Sequence, residues 1–313
     1  MSTRFLSQSL LALAVTAALL AHAGPVQAQV RGLYTPGMNA TNSGVMPSKG
    51  LTYQGLFQLY SFDRLNDPNG NALPVNGKAA LFIDQNVFLW VSAHKILGGT
   101  YVALIDLPVA NSSLTTVTFG SLAGGSGLAD TFYSPFTLDW KMKRAEVNAG
   151  YSFVAPTGRF TPGATDNVGG GYWGHLATSG QTIYLTSNKA TAVSAWEGYE
   201  FHGDQKTTSL HPGQTFDLDY SLTQIVPLEK NEHTLLQVGL IGYGQYQMTD
   251  RTGPGVITAI AAATRYRVNA LGAAGNIVLP ERKVTVGVKW FNEFSTASTV
   301  AGHSLQIAGI ITF

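Results

Sequence analysis

The chain has 313 residues, with 19 Lys and Arg against 18 Asp and Glu and no Cys. A net charge near zero argues against nucleic acid or an anionic membrane surface as a partner, and the lack of Cys excludes disulfides and a lipid-anchored lipoprotein. Charged residues make up 12% of the chain, about half the share usual in soluble proteins, while 45% of the residues are hydrophobic.

Residues 1–28 have the pattern of a signal peptide. Arg4 supplies the positive start, an apolar run covers 10–21, and small residues then lead to Ala28. The run is too short for the ~20 residues of a membrane helix, which disfavours a retained anchor. We predict export with cleavage after Ala28, with Ala23 as the alternative site.

Residues 29–50 are rich in Gly, Pro and Asn and precede the first predicted strand. Their composition fits a disordered tail or a periplasmic arm. Their apolar side chains fit equally well a plug tucked inside the domain that follows; these are Leu33, Tyr34, Met38, Val45 and Met46. Both interpretations stay open, and residues 51–313 are assigned to a single domain.

Apolar and polar residues alternate along residues 51–313, as in strands with one apolar face. In the clearest segment, 215–226, Phe216 and Leu218 alternate with Asp217 and Asp219. No apolar run after residue 28 is long enough for a membrane helix, so the pattern predicts an all-β transmembrane antiparallel β-barrel. The twelve predicted strands are 51–62, 80–92, 100–109, 129–140, 145–155, 172–185, 191–201, 215–226, 234–247, 264–278, 283–294 and 304–313. The sixth, seventh and ninth are weakly patterned, so ten or fourteen strands remain possible.

The connections alternate between short and long, which is typical of outer-membrane barrels with short periplasmic turns and longer extracellular loops. The short turns are predicted near 94–99, 141–144, 186–189, 228–232 and 280–282. The long loops are predicted at 63–79, 110–128, 156–171, 202–214, 249–262 and 296–303. An even strand count places both ends of the domain on the side of the turns.

The last ten residues, SLQIAGIITF, alternate regularly and end on Phe313. Bacterial outer-membrane barrels end on such a strand, whose terminal aromatic residue the barrel assembly machinery recognises. The final strand must also pair with the first, because an open edge in lipid would leave backbone groups without hydrogen bonds. We therefore predict Phe313 as the assembly signal and the Gram-negative outer membrane as the location.

Motifs with catalytic potential lack their structural context. The GGGYWG stretch at 169–174 does not join a strand to a helix, SAHK at 92–95 has no partner motif, and 63–71 lacks the EF-hand spacing. The six His outside the signal peptide are scattered. We predict no enzyme activity, no catalytic residue, no metal and no cofactor.

The lumen of the predicted barrel carries the functional hypotheses. Its predicted polar side chains are Asp84, Asn86, Glu146, Asp217, Asp219, Arg265, Arg267, Lys289 and Glu293. Charges of opposite sign among them either form ion pairs that support the barrel as struts, which we favour, or create an electric field across the lumen that selects solutes. The predicted apolar lumen side chains are Phe82, Phe88, Trp90, Tyr133 and Phe291. Such patches suit an apolar solute more than a sugar or an ion. Tyr101, Trp140, Phe153 and Trp290 are predicted in an outer aromatic girdle.

Four stretches go beyond a general barrel pattern. They are GLYTPGMNATNSGVMPSKGLTYQGLFQLYSFDRLNDPNG at 32–70, HKILGGTYVALIDLP at 94–108, SGLADTFYSPFTLDW at 126–140 and FVAPTGRF at 153–160. With them the chain resembles the outer-membrane family associated with the meta pathway of phenol degradation. The resemblance implies an outer-membrane barrel that helps hydrophobic or aromatic carbon sources enter Gram-negative cells.

Together these observations predict a passive channel or facilitator for small hydrophobic or aromatic compounds. A general polar-solute porin and a structural or adhesive outer-membrane protein are the alternatives. The expected partners are the solute, outer-membrane lipid and the barrel assembly machinery, and the barrel is expected to be a monomer.

Overall fold

The computed structural model describes residues 31–73, 77–116, 120–164, 166–230, 233–254 and 264–313. The predicted signal peptide and its cleavage site lie outside these residues. In the described part of the chain no helix is long and apolar enough to cross a membrane.

The described residues form fourteen strands joined in one antiparallel sheet. In chain order they are β1 (Gly50–Leu65), β2 (Gly77–Ile96), β3 (Gly99–Asp106), β4 (Val109–Thr116), β5 (Gly120–Leu128), β6 (Thr131–Lys141), β7 (Ala145–Ala155), β8 (Gly174–Tyr184), β9 (Thr191–His202), β10 (Thr215–Pro227), β11 (Leu235–Gln247), β12 (Arg267–Leu279), β13 (Val284–Ala297) and β14 (Val300–Thr312).

Twelve of the described strands close into a barrel, which confirms the predicted architecture. β1 pairs with β14 on one side and with β2 on the other, and the ring continues through β3 and then β6 to β14. All twelve predicted segments lie on these strands, including the three weakly patterned ones, which are β8, β9 and β11. The Phe313 backbone amide donates to the Leu51 carbonyl at 2.9 Å, so the terminal strand is held up to its last residue.

The predicted long loop at 110–128 is wrong for its described residues, because 110–116 and 120–128 lie in the antiparallel strands β4 and β5. β4 continues β3 after Leu107 and Pro108 and pairs with the first half of β2. Pro108 has no amide hydrogen, so the ladder with β2 breaks there and resumes at Val109, which pairs with Asp84. β4 is rich in Ser, Thr and Asn and lacks the apolar alternation that identifies a half-buried strand.

Among the described strands, β5 pairs only with β4, so its other edge is not part of the ring. The connection from β7 to β8 folds toward this edge. Asp130, which lies between β5 and β6, accepts hydrogen bonds from the backbone amides of Gly158 at 2.9 Å and Gly170 at 2.7 Å. The connection therefore packs beside the break in the barrel wall.

The predicted loop at 296–303 is also wrong. β13 and β14 are joined by a two-residue turn in which Ser298 adopts a positive φ of 55°. The polar composition of this stretch hides a tight turn, because Ser and Thr are common both in turns and in loops. One connection at the loop end of the barrel is thus as short as the turns at the opposite end.

Large apolar side chains cover the outside of the barrel, and polar side chains fill much of its inside. Phe57 is 48% exposed and Leu240 is 68% exposed, whereas Gln306 and Thr215 are fully buried. This arrangement is the reverse of a soluble protein and is the one a lipid-exposed barrel requires. Trp90 and Tyr101 pack edge to face on the outside, as expected for an aromatic girdle.

Candidate solute pathway

Residues 31–49, here called the lumen segment, lie inside the barrel. Near its start, Arg31 donates to the Val300 carbonyl at 2.6 Å, beside the tight turn between β13 and β14. Near its end, Lys141 at the last position of β6 donates to the Met46 carbonyl at 3.0 Å. These two contacts lie at opposite ends of the barrel, so the segment runs along most of its height.

The first anchor of the lumen segment is an ion pair. Both carboxylate oxygens of Glu293 on β13 accept from the Arg31 guanidinium. The same carboxylate accepts from the hydroxyls of Tyr60 at 2.7 Å and Tyr243 at 2.8 Å, and from the Gly302 backbone amide at 2.9 Å. A fully buried carboxylate with this many donors holds a cation firmly, because charge-assisted hydrogen bonds are stronger where water does not compete for the acceptor.

The second anchor is Glu200, a fully buried residue of β9. Its carboxylate accepts from the backbone amides of Leu33 at 2.8 Å and Tyr34 at 2.7 Å. The His202 Nε2 atom lies 2.7 Å from the same carboxylate. The side chain thus binds the backbone of the lumen segment and supplies acceptors to amides that no strand satisfies.

The third anchor joins a carboxylate and an ammonium group. Asp219 on β10 accepts from the Tyr34 hydroxyl at 2.6 Å and from the backbone amides of Gly37 at 2.8 Å and Asn39 at 2.9 Å. Lys289 on β13 donates to the carbonyls of Gly37 at 2.6 Å and Met38 at 2.8 Å. These contacts fix residues 34–39 of the lumen segment between β10 and β13.

Steric fit reinforces these hydrogen bonds. Gly37 has a positive φ of 82°, and a Cβ there would lie 2.6 Å from the Phe291 ring, so the turn at this position requires glycine. The Tyr34 ring stacks on Trp196 with centroids 4.1 Å apart. Further along, the Asn148 amide donates to the Ser43 carbonyl at 2.9 Å. The lumen segment is therefore packed against β7, β9, β10 and β13.

A cavity of about 950 Å³ occupies the part of the lumen that the segment leaves free. Its lining includes Phe62 and Val300 toward the loop end and Thr312 and Lys283 toward the turn end. It therefore extends over most of the height of the barrel. On the side of β1, β2 and β3 its wall carries a row of aliphatic side chains, which are Leu56, Leu81, Ile83, Val87, Leu89 and Leu104.

The structure places five of the nine predicted polar lumen residues inside the barrel. Glu146, Asp217, Asp219, Lys289 and Glu293 are each at most 6% exposed. Of these, Glu146 interacts with Lys189 at 3.1 Å, as expected for a strut. Asp219, Lys289 and Glu293 instead bind the lumen segment.

The other four predicted polar lumen residues are not in the lumen. Asp84 faces outward between Phe57 and Val109, its half-exposed register partners, and Asn86 accepts from the outward Tyr53 hydroxyl at 2.8 Å. Arg265 precedes β12 and pairs with Asp250 at 2.7 Å near the rim. Arg267 is exposed beside the inward Val268. Aqueous or headgroup surroundings at the loop end satisfy the charges of Arg265 and Arg267 without a lumen.

Of the predicted apolar lumen residues, only Phe291 lies inside, where it is fully buried. Phe82, Phe88 and Trp90 are 40%, 40% and 47% exposed on the outer face. Tyr133 stacks on the outward Phe153 with centroids 4.9 Å apart.

The error in β2 has a physical cause, because this strand is apolar on both faces and period two does not decide which face is inside. The larger aromatic side chains face lipid, and the aliphatic ones face the cavity. At Tyr133 a bulge follows within the pairing of β6 with β7, so the alternation changes phase along the strand.

Sequence reasoning missed two residues that position the lumen segment, Arg31 and Glu200. Glu200 follows Trp196 and Gly198 on the inward face of β9, so the alternation of that strand would have found it had the pattern been clearer. Arg31 had no such signal, because its partner Glu293 is 262 positions away.

Comparison with known proteins identifies the fold and the family. A search of curated proteins finds no match to the chain. Among solved structures, the COG4313 outer membrane channel from Pseudomonas putida F1 is similar, with a TM-score of 0.70 and 15% identity over 90% of this chain and 100% of that chain. The beta domain of the Bordetella autotransporter BrkA has a TM-score of 0.52 and 8% identity over 85% of this chain and 100% of that domain. At these identities the likeness shows the fold alone.

The family model described as "Putative MetA-pathway of phenol degradation" matches residues 62–308. This match covers most of the chain and agrees with the closed barrel and its apolar outer face. The chain is an outer-membrane β-barrel and belongs to this family, whose description links it to phenol degradation.

Proposed function

We propose that this barrel is a passive channel for small hydrophobic or aromatic compounds that move down their concentration gradient. The observation that supports this function is the cavity of about 950 Å³ with an aliphatic wall on β1, β2 and β3. A cavity of this size and lining accepts a small apolar molecule, because binding removes the apolar surfaces of both the solute and the cavity wall from water. A hydrated ion or sugar would lose hydrogen bonds along the same wall.

The lumen segment stays in place during transport and narrows the lumen to this cavity. Its withdrawal would break the hydrogen bonds that the lumen segment donates to Glu200, Asp219 and Glu293, including the ion pair of Arg31 with Glu293. Breaking a buried charged pair costs about 3–5 kcal/mol, and several such contacts would break together. A solute that moves beside the segment avoids this cost, so the segment acts as a fixed filter that excludes large polar solutes.

Uptake by cells with an intact outer membrane tests this function. The solute is radiolabelled toluene, and the host lacks its own copy of the channel. Ile83→Gln places an amide on the cavity wall and is expected to reduce uptake about tenfold, since an amide without a partner is costly in an apolar passage. Phe82→Gln, one residue away on the outer face, is the matched control and should retain uptake once its level in the membrane is matched.

Uptake of toluene that is equal with and without the channel would refute the proposal. Uptake of a sugar that depends on the channel, with no effect on toluene, would instead support the polar porin.

We further propose that the barrel is a monomer in outer-membrane lipid and that Phe313 is the signal read by the assembly machinery. The Phe313 side chain is 68% exposed while its backbone is paired, so the ring is accessible to a partner. Phe313→Ala should lower the amount of folded barrel in cells and leave refolding of purified protein unchanged. Equal loss in both assays would assign Phe313 to stability instead.

A further inference from the structure

On the side of the cavity formed by β1, β2 and β3, three hydrogen-bond acceptors receive no donor from the described residues. They are Gln58 Oε1 on β1, Gln85 Oε1 on β2 and Asp106 Oδ1 on β3. The three residues are 6%, 5% and 4% exposed, and all three line the cavity. Buried polar atoms usually have a partner, so a group of three without one marks a place where a ligand supplies the donors.

The register of the sheet brings these acceptors together. Gln58 pairs with Ile83, two residues before Gln85, and Asp106 pairs with Val87, two residues after it. Each step of this row joins diagonal neighbours on adjacent strands, roughly 7 Å apart. The other polar ends of the two amides are already used, since Gln58 donates to Ser304 at 3.1 Å and Gln85 donates to Thr35 at 2.9 Å.

Apolar side chains surround the row. Leu56, Ile83, Val87 and Leu104 line the same cavity, and Phe132 is the register partner of Asp106 on β6. A ligand at this position would thus have an apolar body in contact with aliphatic and aromatic groups and a donor facing a carboxylate.

We propose that the cavity contains a binding site for neutral molecules that combine an apolar ring or chain with a hydroxyl donor, and that Asp106 is its main acceptor. This inference rests on the proposed uptake function and narrows its substrate class to hydroxylated compounds over pure hydrocarbons. The Asp106 carboxylate accepts the ligand hydroxyl, and Gln85 accepts a second donor where the ligand has one. An acceptor left without a partner in an apolar wall is costly, so a ligand hydroxyl that donates to it should raise affinity about tenfold or more.

Fluorine NMR with two probes of the same shape tests the site. 4-Fluorophenol carries the donor, and 4-fluorotoluene has a methyl group in its place. Each is titrated into the full-length barrel refolded in detergent, with protein-free micelles as the background. We expect at least tenfold tighter binding of 4-fluorophenol.

Asp106→Leu should abolish this preference, and Asp106→Asn, which keeps an acceptor oxygen, should retain most of it. Asp84→Leu is the matched control, because it removes a nearby carboxylate from the outer face, and it should leave the preference unchanged. Gln85→Leu provides a second variant if Asp106→Leu does not fold, as judged by heat-modifiable migration in electrophoresis, and should reduce the preference.

Equal binding of the two probes to the wild-type barrel would overturn this inference while leaving the proposed function intact. The same holds for a preference that survives Asp106→Leu. Absence of binding for both probes, beyond their partition into micelles, would count against the proposed function itself.

Discussion

The two sides of the barrel interior are built from different chemistry. On the side of β9, β10 and β13, Glu200, Asp219, Lys289 and Glu293 hold the lumen segment through backbone amides, carbonyls and one guanidinium. On the side of β1, β2 and β3, the wall is largely aliphatic and contacts a cavity. One side of the lumen holds the lumen segment and the other leaves a cavity, and the proposed passage of small apolar solutes past a fixed segment depends on this difference.

The largest effect is expected from removing the lumen segment, because this abolishes the difference between the two sides of the barrel interior. Deletion of residues 31–48 should replace a narrow apolar cavity with a wide lumen lined by exposed carboxylates. We expect single-channel conductance in a planar bilayer to rise about tenfold or more, with a preference for cations set by the freed carboxylates. The full-length barrel measured under the same conditions is the reference. Equal conductance of the two forms would mean that the segment does not limit the pore.

A smaller effect is expected from breaking one anchor. Glu293→Leu leaves the Arg31 guanidinium without its anionic partner and should lower the free energy of unfolding by about 3–5 kcal/mol. Urea unfolding followed by tryptophan fluorescence measures it. The double variant Arg31→Met/Glu293→Leu should recover much of this loss, because it leaves no unpaired charge.

Glu197→Leu is the control for that anchor. Glu197 is on β9 like Glu200 but faces outward, where it accepts from Ser179 and Gln181 at 3.0 Å each. Its replacement should have little effect on unfolding. A loss of unfolding free energy as large as that of Glu293→Leu would show that the inner ion pair contributes no more to stability than an outward carboxylate does.

The smallest expected effect is the difference in unfolding free energy between two Leu→Ala variants, one on each side of the barrel interior. Leu176 on β8 is fully buried, so Leu176→Ala should cost about 2–4 kcal/mol of unfolding free energy. Leu104 already faces the cavity, so Leu104→Ala should cost less than about 1 kcal/mol, because little packing is lost. Urea unfolding of both variants measures this difference between the packed side and the side that faces the cavity. Equal losses of unfolding free energy would show that the two sides are packed alike.

Most strands could be predicted from the sequence, because a barrel that faces lipid requires apolar and polar residues to alternate with a period of two. Segment 145–155 was predicted with the bounds of β7, and the pattern of TFDLDYSLT places Asp217 and Asp219 inside correctly. The prediction failed in strands whose sequence does not alternate between apolar and polar residues. β4 lacks apolar alternation, and β2 is apolar on both faces.

The site was less accessible than the fold, because it depends on contacts between residues distant in the sequence. The choice between a tail and a plug for residues 29–50 rests on anchors such as Glu200 and Asp219, which lie more than 160 positions from the backbone amides they bind. Nothing local to the segment encodes them. The cavity likewise follows from what the segment leaves unfilled, which no strand pattern describes.

The central claim is that solute passes beside a stationary lumen segment, and a cross-link tests it most directly. Asn42 and Gln237 exchange hydrogen bonds of 3.3 and 2.8 Å between the segment and β11, and the chain has no native Cys. The double variant Asn42→Cys/Gln237→Cys can therefore be joined by a short thiol cross-linker, with each single variant as control. We predict that cells with the segment locked take up toluene at close to the uncross-linked rate. Loss of uptake on locking, reversed when a cleavable linker is cut, would show that the segment must move and would contradict the account.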